Sequence, residues 1–340
     1  MFSQRARSSG SGTLGRAERL ERAVTTRFHQ SDPTCVDIGL VNNMPDAALN
    51  ATERQFEGLL GMAAGDVPVA LTFYTLPEVR RTDFGRHEVS RYAHIDELWD
   101  TGHDGLIVTG TEPQAADLKD EPYWQSLTRV LEWAESHTYS TILSCLAAHA
   151  GVLHIDGIAR RPLADKRFGV FECVRVSDHP LTADMPPCVR MPHSRWNDIP
   201  EEALLACGYR VLTRSEDAGV DAFMKQRRSL FVFLQGHPEY DATSLLLEYR
   251  RDIGRFLKGE RDSYPPMPQG YFDKQTVDAL VALQERAFSD RRDELLANFP
   301  TVMATNNVTN TWRSSAQGLY RNWLQYICAQ KQRTASVEVS

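Results

Sequence analysis

The sequence predicts an α/β protein built on a doubly wound, mostly parallel β-sheet. From about residue 35 to residue 262, short apolar runs alternate with longer amphipathic stretches. Strands and helices in alternation are typical of a parallel sheet with helices on both faces. The composition agrees, since 42% hydrophobic and 24% charged residues are ordinary values for a globular chain of 340 residues.

The strands are predicted by apolar runs rich in β-branched and aromatic residues. In chain order these are 35-CVDIGLVN-42, 69-VALTFYTL-76, 105-GLIVTG-110, 140-STILSC-145, 171-FECVRV-176, 209-YRVLTR-214, 222-AFMKQ-226 and 229-SLFVFLQG-236. The helices are predicted by longer stretches with apolar residues at helical spacing. These are 52-TERQFEGLLGMAA-64, 122-PYWQSLTRVLEWAES-136, 145-CLAAHAGVLH-154 and 244-SLLLEYRRDIGRFLKG-259. Ligands of doubly wound sheets bind at the carboxyl ends of strands, so those ends are where a site is expected.

Four segments are expected along the chain: a disordered leader (1–34), the α/β domain (35–262), a C-terminal appendage (263–330) and a flexible tail (331–340). The leader is basic and rich in Ser and Gly, but Glu18 and Glu21 argue against an organelle transit peptide. The appendage begins with a Pro-rich stretch (262–272). It has too few apolar residues for a core of its own and is expected to pack on the main domain.

Charge and composition argue against several classes of function. The net charge is −7 without a long basic run, so neither nucleic acid nor an anionic membrane is expected as a partner. No run approaches the roughly 18 apolar residues of a membrane span, and the start lacks the apolar core of a secretory signal, so a cytoplasmic protein is expected. The cysteines show no CxxC spacing, which predicts neither a metal site nor disulfides. They are Cys35, Cys145, Cys173, Cys188, Cys207 and Cys328.

Cys145 is the first candidate for chemistry. It ends a predicted strand and a helix with small residues follows at once. At such an elbow the sulfur is exposed, and the helix dipole favours its thiolate. The N–H of Leu146 is then placed to donate to an oxyanion. A buried core cysteine is an equally good interpretation of Cys145 taken alone.

His237 and Glu239 follow another predicted strand. A histidine at that place can take the thiol proton, and a carboxylate two residues on can hold the imidazole in one tautomer. The alternative is a plain turn in which Pro238 fixes the backbone and Glu239 caps the next helix. Because Cys145 and His237 both follow strands of one parallel sheet, the sequence favours a Cys–His–Glu triad.

Several segments of the chain resemble the homoserine O-succinyltransferase and homoserine O-acetyltransferase family, whose fold is that of the class I glutamine amidotransferases. The elbow followed much later by GHPE is similar to amidotransferases in general, whereas PHSR and the terminal W-R-S…NWL are not. The segments run in family order from about residue 36 to 328. They are 41-VNNMPDAALNATERQF-56, 104-DGLIVTGTEP-113 with 121-EPYW-124, 131-LEWAESHTYSTILSC-145, 192-PHSRWNDIP-200, 236-GHPEYDATSLLLEYRRDI-253 and 311-TWRSSAQGLYRNWL-324.

The resemblance implies roles for individual residues. Cys145 would be the acyl-thioester nucleophile, His237 the general base and Glu239 its partner. Arg251 corresponds to the arginine that holds the amino acid's carboxylate, a task that suits its planar fork, although a solvated helix face would also explain it. Further substrate contacts are implied for Lys166 and Ser194. The residues that flank Ser194, His193 and Arg195, are second-line candidates.

The chain departs from the family pattern near the nucleophile. Where the family typically has a lysine pair after Met-Pro, one member of which is implicated near the acyl oxyanion, this chain has Asp46 and Ala47. Oxyanion stabilisation is therefore expected from backbone N–H groups of Leu146 and of the Gly110-Thr111 segment.

Two further departures concern specificity. The position at which the family has Gly for succinyl or Glu for acetyl transfer aligns with Gln114, and Glu112 is close by. The stretch of about 273–299 is also unusual. The chain is thus a divergent member of the family it resembles.

The expected function is O-acyl transfer. Cys145 would take a succinyl or acetyl group from acyl-CoA as a thioester, and His237 would then activate the hydroxyl of L-homoserine, in methionine biosynthesis. Acyl-CoA is a co-substrate here, and no cofactor or metal is expected. Transfer to serine, glutamine hydrolysis and a non-catalytic relative are the alternatives. The resemblance also implies a homodimer.

Overall fold

The computed structural model describes residues 35–338, and in this part of the chain nine strands form one sheet in the order β2-β1-β3-β4-β9-β8-β7-β5-β6. The strands are β1 (Val36–Val41), β2 (Val69–Tyr74), β3 (Gly105–Val108), β4 (Ser140–Ser144), β5 (Arg161–Arg175), β6 (Cys188–Asp198), β7 (Arg210–Ser215), β8 (Gly219–Gln226) and β9 (Leu230–Leu234). The predicted leader lies outside the described residues.

The helices are α1 (Leu49–Ala64), α2 (Asp83–Val89), α3 (Ile95–Asp100), α4 (Trp124–His137), α5 (Leu146–Asp156), α6 (Glu201–Ala206), α7 (Ser244–Leu257), α8 (Lys274–Ser289), α9 (Thr301–Asn307) and α10 (Arg313–Glu338). Between residues 35 and 338, no helix has both the length and the apolar character that a membrane crossing requires.

One half of the sheet is parallel and carries the strand ends of interest. β2, β1, β3, β4 and β9 are parallel neighbours, and every residue of β3, β4 and β9 is buried. Continuous apolar strands of this kind are expected where helices cover both faces. Ser144 pairs with Leu234, so Cys145 and the residues after Leu234 leave the sheet at the same edge. The predicted α/β class is confirmed, and the parallel strands form the half of the sheet that carries these ends.

The other half of the sheet is antiparallel. β9 pairs with β8, β8 with β7, β7 with β5, and β5 with β6, all in antiparallel register. The pattern of apolar runs did not predict β6, because Pro192 and the polar residues after it interrupt the apolar run. β6 is nevertheless well paired, with Phe168 opposite Ser194 and Gly169 opposite His193.

The C-terminal region is more closely integrated than an appendage. Tyr320 and Trp323 of α10 are fully buried in the same core cluster as β1 and α1, and the Trp323 indole donates to Ser140 Oγ at 2.9 Å. The expected flexible tail differs as well, since α10 continues to Glu338 and Lys331 lies 2.8 Å from the Asp104 carboxylate. The domain boundaries stay a prediction.

The unusual stretch 273–299 is mostly helical. It contains α8, whose Leu280 and Leu283 pack in one cluster with Tyr249 and Ile253 of α7. This stretch therefore supports α7, the helix that follows the predicted His and Glu.

Candidate active site

Cys145 lies in a sharp turn between β4 and α5. Its backbone angles are φ 52° and ψ −113°, which residues other than glycine rarely adopt. Its N–H donates to the Leu234 carbonyl at 2.7 Å, and α5 begins at the next residue. The thiol thus stands at the N-terminus of α5. Cys145 is partly buried and lines a cleft, whereas Cys173 is buried.

His237 and Glu239 form a buried pair beyond the end of β9. Nδ1 of His237 lies 2.9 Å from Glu239 Oε1, close enough to donate to it. The His237 N–H donates to the Pro192 carbonyl at 2.8 Å, and the Tyr240 ring stacks on the imidazole with 4.2 Å between centroids. The backbone, the ring face and Nδ1 of His237 thus each have a partner. Nε2 is the ring nitrogen that stays available for proton transfer.

The charges around His237 favour its protonated form. Burial alone would lower the pKa of His237, but the negative charges of Cys145 and Glu239 outweigh burial and hold that pKa well above its usual range. An imidazolium opposite a thiolate is the activated state of a Cys–His pair. The arrangement therefore suits nucleophilic attack by sulfur.

Two backbone segments meet beside the nucleophile. A Cβ built on Gly110 would lie 2.5 Å from Leu146 Cβ and 3.0 Å from Leu146 N, so only glycine permits this approach. The segment of Gly110 and Thr111 thus packs directly on the start of α5. The first N–H groups of a helix have no partner within it, so the Leu146 N–H is suited to an oxyanion.

A cleft of about 680 Å³ opens at this edge of the sheet. Most of the predicted site residues line it: Thr111, Cys145, Leu146, Lys166, Ser194, His237, Glu239 and Arg251. These residues come from six separate stretches of the chain. The fold therefore brings the predicted nucleophile, base and substrate contacts to one cavity.

The predicted substrate contacts converge on two carboxylates of α7. Lys166 Nζ lies 2.7 Å from Glu248 Oε1, and the Ser194 hydroxyl donates to the same oxygen at 2.5 Å. Arg251 donates through Nε and Nη2 to Asp252 Oδ1 at 3.0 and 2.9 Å. Half of the Arg251 side chain stays exposed, at 51%. The cleft thus presents cations and anions side by side.

Sequence reasoning missed Glu248, Asp252 and Arg255, which also line the cleft. A signal for them was available. Together with Arg251 they recur at helical spacing along α7, so they form one charged stripe on a helix whose other face is apolar. Once Arg251 is placed in a site, that spacing places Glu248 and Arg255 beside it, and Asp252 is the next residue in sequence.

Gln114, the predicted acyl-specificity residue, is not among the cleft-lining residues of the described chain. It is exposed, and its backbone N–H donates to Glu121 Oε1 at 2.6 Å. Glu112 does line the cleft, and its carboxylate lies 3.6 Å from Arg255. Between these two neighbours, Glu112 is the residue that faces the cavity.

Asp46, which stands where the family has lysine, takes part in a structural network. Its carboxylate lies 3.2 Å from Arg81 and accepts hydrogen bonds from the Thr82 N–H and hydroxyl at 2.8 and 2.6 Å. Arg81 also donates to the Met44 carbonyl. The pair fixes the loop whose Met44 and Pro45 line the cleft.

Known proteins resemble this chain along most of its length. Residues 16–334 match the model of the family described as "HTS: Homoserine O-succinyltransferase". The chain is 50% identical over 290 residues to a homoserine O-succinyltransferase of Rhodopseudomonas palustris, covering 85% of this chain and 87% of that protein. It is 48% identical over 297 residues to the protein of that name from Methylorubrum extorquens, covering 85% and 86%.

The chain belongs to the homoserine O-succinyltransferase family. The resemblance found in the sequence motifs is thereby confirmed, and the protein is an acyltransferase. Solved structures with a similar backbone path include a glutamine amidotransferase of Methylobacillus flagellatus. Its sequence is 17% identical, the TM-score is 0.48, and the match covers 86% of this chain and 95% of that chain. Another, from Thermotoga maritima, has 13% identity and a TM-score of 0.43, covering 86% and 98%.

The second-line candidates His193 and Arg195 do not line the cleft. Both are buried, and they lie on the side of β6 opposite to Ser194. The second-line candidates therefore do not contact the cavity from their positions in the strand.

Proposed function

We propose that this acyltransferase moves a succinyl group from succinyl-CoA to the hydroxyl of L-homoserine through a thioester on Cys145. The observation that carries the proposal is the Cys145, His237 and Glu239 set at the wall of a cleft that also presents charges of both signs. The relatives are homoserine O-succinyltransferases by name, which supports this choice of donor and acceptor.

In the first half-reaction, the Cys145 thiolate attacks the thioester carbonyl of succinyl-CoA. The carbonyl oxygen gains negative charge, which the N–H groups of Leu146 and of the Gly110-Thr111 segment are suited to stabilise. When the carbon–sulfur bond to CoA breaks, the protonated His237 gives its proton to the CoA sulfur. Free CoA leaves, and a succinyl thioester stays on Cys145.

Acylation itself prepares His237 for the second half-reaction. The thioester is neutral, so the charge of Cys145 that raised the pKa of His237 is gone while the effect of burial remains. The neutral imidazole then removes the proton of the homoserine hydroxyl. The alkoxide attacks the thioester, O-succinylhomoserine forms, and Cys145 leaves as thiolate opposite an imidazolium.

The charged stripe of α7 suits an amino-acid acceptor. An α-carboxylate can pair with Arg251, whose guanidinium is half exposed in the cleft. An α-ammonium can pair with Glu248, which Lys166 and Ser194 hold in place. Asp252 would orient the Arg251 fork from behind.

The finer aspects of the proposal follow from the family. The product would serve methionine biosynthesis, acyl-CoA would act as a co-substrate without any bound cofactor, and the enzyme would work in the cytoplasm as a homodimer.

The test is a substrate panel with the purified enzyme. Succinyl-CoA and acetyl-CoA are each offered with homoserine, serine or glutamine, while free CoA thiol and ammonia are measured. We expect CoA release with succinyl-CoA and homoserine together, and a succinyl adduct on Cys145 when homoserine is left out. Ammonia from glutamine, or transfer to serine in preference to homoserine, would contradict the proposal.

A further inference from the structure

Strand β6 has two faces with different surroundings. Ser194 and Trp196 line the cleft, whereas His193 and Arg195 are 0% and 4% exposed on the opposite side. This is the alternation expected of a strand. The motif PHSRW therefore contributes to the substrate cavity with one face and to a buried polar cluster with the other.

The buried cluster is an ordered chain of polar contacts. Arg195 Nη1 lies 3.0 Å from Asp198 Oδ1, and Arg195 Nε donates to His193 Nδ1 at 3.4 Å. A guanidinium can only donate, so Nδ1 must accept and the neutral ring carries its proton on Nε2. Nε2 lies 3.2 Å from Asp221 Oδ1, and Asp221 Oδ2 accepts from the Thr213 hydroxyl at 2.7 Å.

This cluster lies directly beneath the catalytic histidine. A Cβ built on Gly236 would lie 2.5 Å from Asp221 Oδ1 and 3.2 Å from His193 Nε2, so the backbone just before His237 rests on this pair. The His237 N–H donates to the carbonyl of Pro192, the residue before His193, at 2.8 Å. The turn that aims His237 is thus held by β6 and by the carboxylate of β8.

A metal site is the competing interpretation, because ligand atoms of Cys173, His193 and Asp221 lie within 4.8 Å of one another. One feature argues against a bound cation. The Arg195 guanidinium already contacts His193, and a second cation there would be repelled.

We propose that His193 and Asp221, oriented by Arg195, are positioning residues that set the place of the His237 imidazole relative to Cys145. The inference rests on the proposed use of His237 in acyl transfer. Its main test, however, needs no acyl substrate. A shift of His237 by a fraction of an ångström would weaken its contact with the thiolate without removing any group from the cleft.

The test compares His193→Ala with His193→Gln. The glutamine keeps an N–H donor near the place of Nε2, and the alanine does not. The rate at which iodoacetamide alkylates Cys145 is measured against pH, with the modified cysteine located by peptide mass spectrometry. His237→Asn gives the profile of Cys145 without its base, and thermal melts report folding.

We expect the alkylation profile of His193→Ala to move toward that of His237→Asn. We expect kcat to fall by roughly 10- to 100-fold, because a misplacement of about 1 Å can cost about 100-fold and the expected shift is smaller. The KM for succinyl-CoA should change little, and His193→Gln should recover most of the loss.

A milder pair guards against misfolding of the alanine variant. Thr213→Val removes the hydroxyl that donates to Asp221 and accepts from the Ala222 N–H, and it should shift the profile in the same direction by less. Thr141→Val makes the same buried change at the far end of β4 and should leave the profile unchanged.

The proposal is overturned if His193→Ala and Thr213→Val are folded and keep the wild-type alkylation profile. It is also overturned if activity falls only in proportion to the unfolded fraction. The wild type can show an alkylation profile that differs from that of His237→Asn and still not transfer succinyl to homoserine. In that case the proposed function fails while this inference stands.

Discussion

Replacing Glu239 by glutamine removes one charge from the candidate site with almost no change in size. Glu239 Oε1 lies 2.9 Å from His237 Nδ1, and both side chains are nearly fully buried, at 6% and 7% exposure. A glutamine carbonyl can still accept from Nδ1, so the loss is the charged part of the hydrogen bond. Hydrogen bonds to charged groups contribute about 1.5–3 kcal/mol, which corresponds to a roughly 10- to 150-fold lower kcat/KM.

The same substitution should change how the stability of the fold depends on pH. Glu239 raises the pKa of His237, so in Glu239→Gln that pKa is lower and the imidazolium is lost at a lower pH. A raised histidine pKa stabilises the fold fully below the unfolded value of about 6.5, and this stabilisation is lost as pH rises through the folded pKa. The stability difference that His237 contributes between wild type and variant should therefore shrink as the pH is raised from about 6.5.

The assay for Glu239→Gln follows free CoA released from succinyl-CoA and homoserine across pH, together with denaturant unfolding at each pH. Glu260→Gln is the matched control, because Glu260 also lines the cleft but is exposed. A wild-type rate with an unchanged pH profile in Glu239→Gln would refute the reasoning and leave Glu239 as a residue of the turn. An equal loss in Glu260→Gln would show a general charge effect.

Three further predictions concern the nucleophile, the acceptor and the oxyanion. Cys145→Ser should abolish the succinyl adduct in mass spectra, whereas Cys207→Ser should keep it; an adduct on the Cys145 variant would exclude the thioester assignment. Arg251→Lys keeps the charge but loses the fork, so transfer to homoserine should weaken by about 1.5–3 kcal/mol while Cys145 acylation proceeds at a near-normal rate. A parallel loss of both half-reactions would make Arg251 structural. Gly110→Ala should slow acylation itself, because the new methyl group would lie 2.5 Å from Leu146 Cβ, and stopped-flow measurement of CoA release at the wild-type rate would contradict the expected crowding.

Local pattern was sufficient for the parallel half of the sheet and for the nucleophile. The runs that became β3 and β9 have no polar side chain, and those that became β1 and β4 are short and rich in β-branched residues, so length and residue type identified all four without knowledge of their neighbours. Cys145 and His237 could be paired in advance because parallel strands end at one edge of a sheet.

Other features depended on contacts that no local pattern contains. Ser194 and Lys166 meet at Glu248 across separations of 54 and 82 residues, and the neighbours of β6 are set by the order of strands in the antiparallel half. Gln114 and Glu112 could not be ranked from the sequence, because which of them faces the cleft depends on how their loop packs.

The sequence by itself determined the fold class, the turn at Cys145 and the meeting of Cys145, His237 and Glu239 at one edge of the sheet. These depend on residue type and on spacing within one strand and its turn. Only the tertiary structure decided that α7 supplies the carboxylates of the cleft and that His193 lies behind the site. Those contacts join segments far apart in the chain. Such segments are brought together by the order and register of the strands across the whole sheet, and the properties of any one segment contribute less.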